Sequence, residues 1–279
     1  MTSSLRFQTS LLMLVAFMGL SLASSDAGAQ SASLGATGDE PLQINASDGI
    51  EWRRDEQQYI ANGDARAAQG DLEVFADRLV AHYKQDAEGG TEIYRIDAVG
   101  SVIIKSPGRE AFGDHGVYDI HQQVMVLTGN DLRIVSGGDV ITARDSLEYW
   151  EGRQLAVARG DAIVTREDKR VYAQIISANF ANNSGSDKLE LDRVDAFNDV
   201  RISSNTEYAT GNRGVYFVKK ELATLDGNVK ITQGDNQLNG DRGEVNLATG
   251  VSRLISSGNA PVQGLIIPKK NAPEEPKQP

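Results

Sequence analysis

The stretch Arg95-Ile96-Asp97-Ala98-Val99-Gly100-Ser101-Val102-Ile103-Ile104 decides the fold, because the chain states it twice. Ninety-eight positions later it returns as Arg193-Val194-Asp195-Ala196-Phe197-Asn198-Asp199-Val200-Arg201-Ile202. Within the second copy Val194, Ala196, Val200 and Ile202 share one parity, and Arg193, Asp195, Asp199 and Arg201 take the other. Successive side chains of an extended strand point to opposite faces, so the pattern describes a strand with one dry and one wet face.

A shorter pattern (small or apolar, any residue, Gly or Asn, polar, apolar, any residue, apolar) runs through the chain. Its anchors are Gly63, Gly100, Gly129, Gly160, Asn198, Gly227 and Gly258, spaced by 37, 29, 31, 38, 29 and 31 residues, with one residue inserted in the copy around Gly129. The irregular spacing itself repeats. A second signature keeps the offset, since Ala111-Phe112-Gly113-Asp114-His115-Gly116-Val117-Tyr118 returns as Ala209-Thr210-Gly211-Asn212-Arg213-Gly214-Val215-Tyr216. The body therefore reads as six units of about 30 residues, grouped three plus three, that stack on their neighbours. No long window keeps a helical apolar stripe, and turn clusters such as Gly137-Gly138-Asp139 and Gly234-Asp235-Asn236 separate the apolar runs. The expectation is an all-β, antiparallel protein with three short strands per unit, roughly 14–18 in all.

The chain has 279 residues, no Cys, seven Pro and a formal charge of −11. Only Pro107 falls between residues 42 and 260, which suits extended sheet because Pro lacks the ladder donor. Residues 1–29 read as a signal peptide: Arg6 supplies the positive region, Leu11 to Ala23 the apolar run and Ala27-Gly28-Ala29 a cleavage site, with an uncleaved anchor as the alternative. Residues 30–41 read as a flexible leader, 42–262 as one β-domain, and 263–279 as a disordered, charged, Pro-rich tail. Cleavage would place the protein in the periplasm or outside the cell, where a chain without Cys relies on burial rather than disulfides. The acidic balance argues against nucleic acid.

The dry positions are mostly Ala, Val, Ile and Leu, and aromatic content is 6%. A sheet folded on itself with such a lining either packs solid or leaves a slot for acyl chains, each buried methylene contributing about 0.8 kcal/mol. The exported leader, the repeats and the recurring Ala-x-Gly-Asn/Asp-Val-x-Ile motif resemble the OstA-like family of periplasmic lipopolysaccharide-transport proteins over about residues 42–262. The resemblance implies an elongated, twisted, open-ended antiparallel β-jellyroll that shields the acyl chains of lipid A in an apolar groove. It further implies head-to-tail homo-oligomers, an inner-membrane-anchored partner of the same fold (LptC-like) and the N-terminal domain of an outer-membrane translocon (LptD-like). Carried onto the motif, the groove positions are Ala98, Val102, Ile104, Leu132, Ile134, Val164, Val200, Ile202, Val229 and Ile231. Ala65, Ala67 and Ala260 hold the same face in the first and last copies, where smaller side chains would grip less.

Catalytic chemistry finds little footing. His115 and His121, with Asp114 and Asp119 nearby, are conceivable metal ligands, but the second copy replaces them by Arg213 and Lys219. No Cys nucleophile, Gly-x-Ser-x-Gly elbow or phosphate loop is present. Asp97 beside Arg95, and Asp195 beside Arg193, read as solvated cross-strand charge pairs rather than a general acid or base. Trp52 and Trp150 read as cap or core residues. The expectation is a non-enzymatic carrier without cofactor or metal; its rival is a ligand-free structural module that polymerises through edge strands.

Overall fold

The computed structural model describes residues 42–85, 90–182, 189–246, 248–249, 251–256, 258 and 261–267. The expected signal peptide, the leader, Ala260 and the tail from residue 268 lie outside the described residues.

The chain runs as an antiparallel meander. β1 (Gln43–Asn45) and β2 (Gly49–Arg53) lie end to end along one side of β3 (Gln58–Gln69), followed by β4 (Leu72–Gln85), β5 (Thr91–Ser106) and β6 (Arg109–Asp119). β7 (Val124–Thr128) and β8 (Arg133–Ser136) share the far side of β6. β9 (Asp139–Thr142) pairs with β8, and β10 (Ser146–Trp150) with β7; both then pair with β11 (Leu155–Arg166). β12 (Lys169–Asn182), β13 (Leu189–Ser203), β14 (Glu207–Phe217), β15 (Leu222–Gln233) and β16 (Asn236–Asn246) continue the series. β17 (Val251–Ile255) and β18 (Gln263–Leu265) divide the last edge between them. The sheet thus runs three residues beyond 262, where the sequence reading ended the domain. Among the described residues the one helical element is a 3-10 turn at Glu151–Arg153.

Eighteen strands, four pairs of which share a rung, make fourteen rungs. The count lies within the expected range, but each unit holds two long rungs rather than three short strands. A strand survives the motif instead of ending there, because the motif is a bulge. Ladder register breaks between Asn62 and Ala65, Val99 and Val102, Arg159 and Ala162, Phe197 and Val200, and Asp226 and Val229. The two residues skipped each time adopt positive φ, as at Gly160 (78°) and Asp161 (47°). Bulges of this kind bend a strand and sharpen its twist. Stacked rung on rung, they fold the sheet lengthwise into two half-sheets.

The exception explains the rule. At Asn198 (φ 62°) the anchor is not Gly. Where Gly is used, an Asx side chain of the adjoining strand or corner crosses its Cα face: Asp77 over Gly100, Asp145 over Gly160 and Asn212 over Gly227. The residue equivalent to Asp77 in the second copy is Gln174, which instead donates to Asp161. With Gln rather than an Asx residue at that position, Asn takes the anchor, and Asn tolerates the left-handed conformation at little cost.

An offset of 97 carries the starts of β1 and β2 (residues 43 and 49) to residues 140, inside β9, and 146, the start of β10, and β3 (from 58) onto β11 (from 155). Carried once more, β9 falls on β16. The chain holds two complete six-rung copies and the start of a third, joined in one continuous sheet.

Candidate functional site

The inner faces of the two half-sheets make one buried apolar seam. In the half-sheet that ends at Gln69 and Ser106, one cross-strand row runs Ile44, Ala67, Val74, Ile104, Ala111, Ile134, Ile141, Val164, Val171, Ile202, Ala209, Ile231, Leu238 without a polar interruption. In the facing half-sheet a second row runs from Ala61 through Leu79, Ala98, Gly116, Leu127 and Leu147 and on to Leu254.

All ten residues picked from the motif point into this seam. Ala98, Val102, Leu132, Val200, Ile202, Val229 and Ile231 are buried members of the cluster, and Ile104, Ile134 and Val164 pack against it half-buried. Ala65 and Ala67 are buried in it as well. Sequence reasoning missed the alternate strands, which supply Val74, Leu79, Leu147, Val171 and Ile176. Their inward positions shift parity at the fold, from Ala76 to Leu79 and from Ala173 to Ile176, so a period of two read straight through loses them. The two-residue bulges of the other strands preserve parity.

The seam is not sealed. A cavity of about 620 Å³ opens where Leu42 and Gln69 on one edge face Ile93, Ile96, Ile120, His121 and Gln123 on the other. That volume falls in the range of small-molecule pockets, about 300–1,000 Å³. Ile50 and Trp52 stand exposed on the terminal rung. Trp52 stacks on Tyr59 and donates from Nε1 to the Tyr83 hydroxyl at 2.8 Å, with Arg54 over its other face. It caps the first rung. Trp150 lies half-buried on the outer face, donating to Glu148 at 3.0 Å.

The outer face carries the charge, and it corrects the reading of Asp97 and Asp195. The arginines flanking each Asp bind it along the strand, two residues away: Arg95 Nε donates to Asp97 at 2.8 Å and Arg193 Nε to Asp195 at 2.6 Å, while the cross-strand arginine is a different one, and among the described residues only Asp195 has it. Asp195 is not solvated, being 1% exposed. Arg213 donates to it at 3.1 Å from the next strand, and Asn179 at 3.5 Å from the other side. In the first copy His82 stands where Asn179 does, 2.7 Å from Asp97. Burial pushes the neighbouring Glu148 carboxyl up, but hydrogen bonds from Arg159, Trp150 and Ser146 and the Arg159 charge hold it below the usual glutamate value. These carboxylates tie arginine stems over the outer surface of the sheet. Asp195→Ala removes the shared acceptor of Arg193 and Arg213, and charge-assisted bonds contribute about 1.5–3 kcal/mol each. Because both guanidiniums can regain water, the expected loss is about 2–3 kcal/mol in urea unfolding, larger than for Asp97→Ala.

The histidines do not converge. His115 lies on the outer face of β6, and His121 sits in the turn after it, 4.0 Å from Glu92. Among the described residues no group of three His, Asp, Glu or Cys side chains is placed to hold a metal ion.

The uncharacterized protein R00383 of Rhizobium meliloti (strain 1021) is 30% identical over 143 residues, spanning 48% of this chain and 76% of its own length. The crystal structure of LptH, described as the LptA homologous periplasmic component of the lipopolysaccharide transport device of Pseudomonas aeruginosa, is 19% identical. It covers 47% of this chain and 95% of its own, with a TM-score of 0.39. The family model for the LptA/(LptD N-terminal domain) LPS transport protein matches twice, over residues 43–145 and 140–251. The two starts lie 97 residues apart, the offset that separates β3 from β11. With both copies of its repeat matched, the chain belongs to the LptA/LptD N-terminal domain family of lipopolysaccharide-transport proteins.

Proposed function

We propose that this protein is a non-enzymatic periplasmic carrier, exported by a cleaved signal peptide, that shields the acyl chains of lipid A in the seam between its half-sheets. The observation that carries the reading is the unbroken apolar row from Ile44 to Leu238 across the stack. An acyl chain entering along that row would itself leave water, at about 25 cal/mol for each Å² of its apolar surface covered. Twelve spacings of ~4.8 Å give a path of roughly 58 Å, long enough to hand an amphiphile along.

The ends support a bridging role. The first rung leaves Ile50 and Trp52 exposed, and the last leaves Val251, Leu265 and Ile266 exposed, beside strand edges that have no partner among the described residues. Such edges accept another strand in register. We infer that they join further copies head to tail, an inner-membrane-anchored partner of the same fold and the N-terminal domain of an outer-membrane translocon.

Photo-crosslinking side chains at Val102, Ile104 and Val200 test the carrier reading in cells. Lipopolysaccharide adducts are expected at all three and not at outward-facing Arg201. Labelling of Arg201 with silence at the seam would refute it. Lipid-free oligomers in native mass spectrometry would favour the rival, a structural module assembled through its edges.

A further inference from the structure

The slot between the half-sheets has two unlike lips. Along one edge the outermost inward positions of successive rungs are Ser106, Arg109, Ser136, Asp139, Arg166 and Lys169, all polar. Across from them, the corresponding positions of β6, β7 and β10 are Tyr118, Met125 and Tyr149. The lips face each other across the slot, as the cavity at its first end shows, lined by Gln69 of one edge and by Ile96, the ladder partner of Tyr118, of the other. Burial pushes the Tyr149 hydroxyl up, the Glu151 charge adds to this, and the Arg109 guanidinium opposes it.

The charges on the polar lip differ in what they already hold. Asp139 is buried and takes both Nε and Nη2 of Arg166. Lys169 is engaged too. Arg109 is exposed, points along the inward parity of Ala111, and makes no ion pair among the described residues. In the second copy its place is taken by Glu207, buried against Gln233 at 2.9 Å. The two copies keep the seam and reverse this charge, so the cation belongs to the middle of the stack alone.

We propose that Arg109 is the contact for the phosphate oxyanion of a bound amphiphile's headgroup, with the headgroup lying between Arg109 and Tyr149 while the chains occupy the slot. The proposal rests on the chain-binding reading given above. A guanidinium presents a planar fork that matches phosphate in two-point contact, and the aromatic face opposite suits the flat side of a sugar ring. In a chain of net charge −11 an isolated cation at the lip orients an anionic ligand more than it recruits one.

The test compares full-length protein and Arg109→Gln for binding of diphosphorylated lipid A, its dephosphorylated form, and inorganic phosphate alone. The expected result is a preference of the wild type for the phosphorylated lipid of roughly tenfold. That preference should be lost in Arg109→Gln, partly restored in Arg109→Lys, and accompanied by unchanged affinity for the dephosphorylated lipid. Arg109 is exposed, so the variants should unfold at the wild-type midpoint. Retention of the preference in Arg109→Gln overturns the proposal and leaves the carrier reading standing. Millimolar inorganic phosphate that binds without lipid overturns it as well, as a free-phosphate site. Failure of both lipids to bind either protein removes the carrier reading itself.

Discussion

Val200→Asp is expected to abolish lipid capture and to destabilise the fold by at least about 4 kcal/mol in urea unfolding. Val200 is 1% exposed, in the second copy of the stretch that decides the fold. Its ladder partner on β14 is Gly211, and its Cγ1 approaches the inward face of Gly214. Neither side chain can accept or donate a hydrogen bond, and the surrounding inward positions are Ala196, Ile202 and Leu225. An ionised carboxylate there has no partner; a neutral one still lacks acceptors for its proton. The control is Lys230→Ser on the wet face of β15, next to the seam residues Val229 and Ile231, which should leave the midpoint near wild type. If Val200→Asp folds with wild-type stability, water already reaches the seam and the dry-slot picture is wrong.

Gly129→Ala is expected to cost about 3 kcal/mol or more, a large effect for a single methyl group. Gly129 has φ of 143°, a conformation that essentially only Gly adopts, and strain of this kind is of order 1–3 kcal/mol. A Cβ would also stand 2.5 Å from the backbone nitrogen of Asp114 and 2.8 Å from its Cβ, atoms held between the ladder residues Gly113 and His115. Asp114 in turn holds the corner, accepting from the Asn130 backbone at 2.9 Å and from its side chain at 3.0 Å. Gly160→Ala is the comparison. The atoms over Gly160 belong to the Asp145 carboxylate, the far end of a side chain that can turn away, so the cost should fall to the backbone share, about 1–2 kcal/mol. Equal losses at the two positions in denaturant unfolding would show that the corner strand is free to shift.

Much of this was legible in the chain because the same physics is written repeatedly. A repeat of 98 residues, with period two on both sides of each anchor, leaves few folds other than stacked strands, and the ten motif residues all face the seam. Their parity survives the bulge because the bulge has two residues. The alternate strands were not legible in the same way. From Gly113 to Gly116, and from Gly211 to Gly214, the inward face changes parity, and a reader following alternation assigns half of each such strand to water. Both tryptophans read as cap or core residues; Trp52 caps the first rung, but Trp150 lies half-buried on the outer face with Glu148, in neither role.

Local sequence by itself determined the all-β class, the two-copy grouping, the inward set of one strand in two and the absence of a recognisable catalytic motif. Each of these depends on alternation, glycine conformation or composition, which act within a few residues. Only the tertiary structure decided which strands share a rung, that Asp195 is dry while Asp97 is half-wet, and that the slot has a tyrosine lip facing a charged one. Those features depend on residues such as Arg193, Arg213 and Asn179, or Arg109 and Tyr149, that meet through cross-strand register and the lengthwise fold. A one-residue change of register would exchange their faces, and nothing in the spacing of either strand alone sets that register.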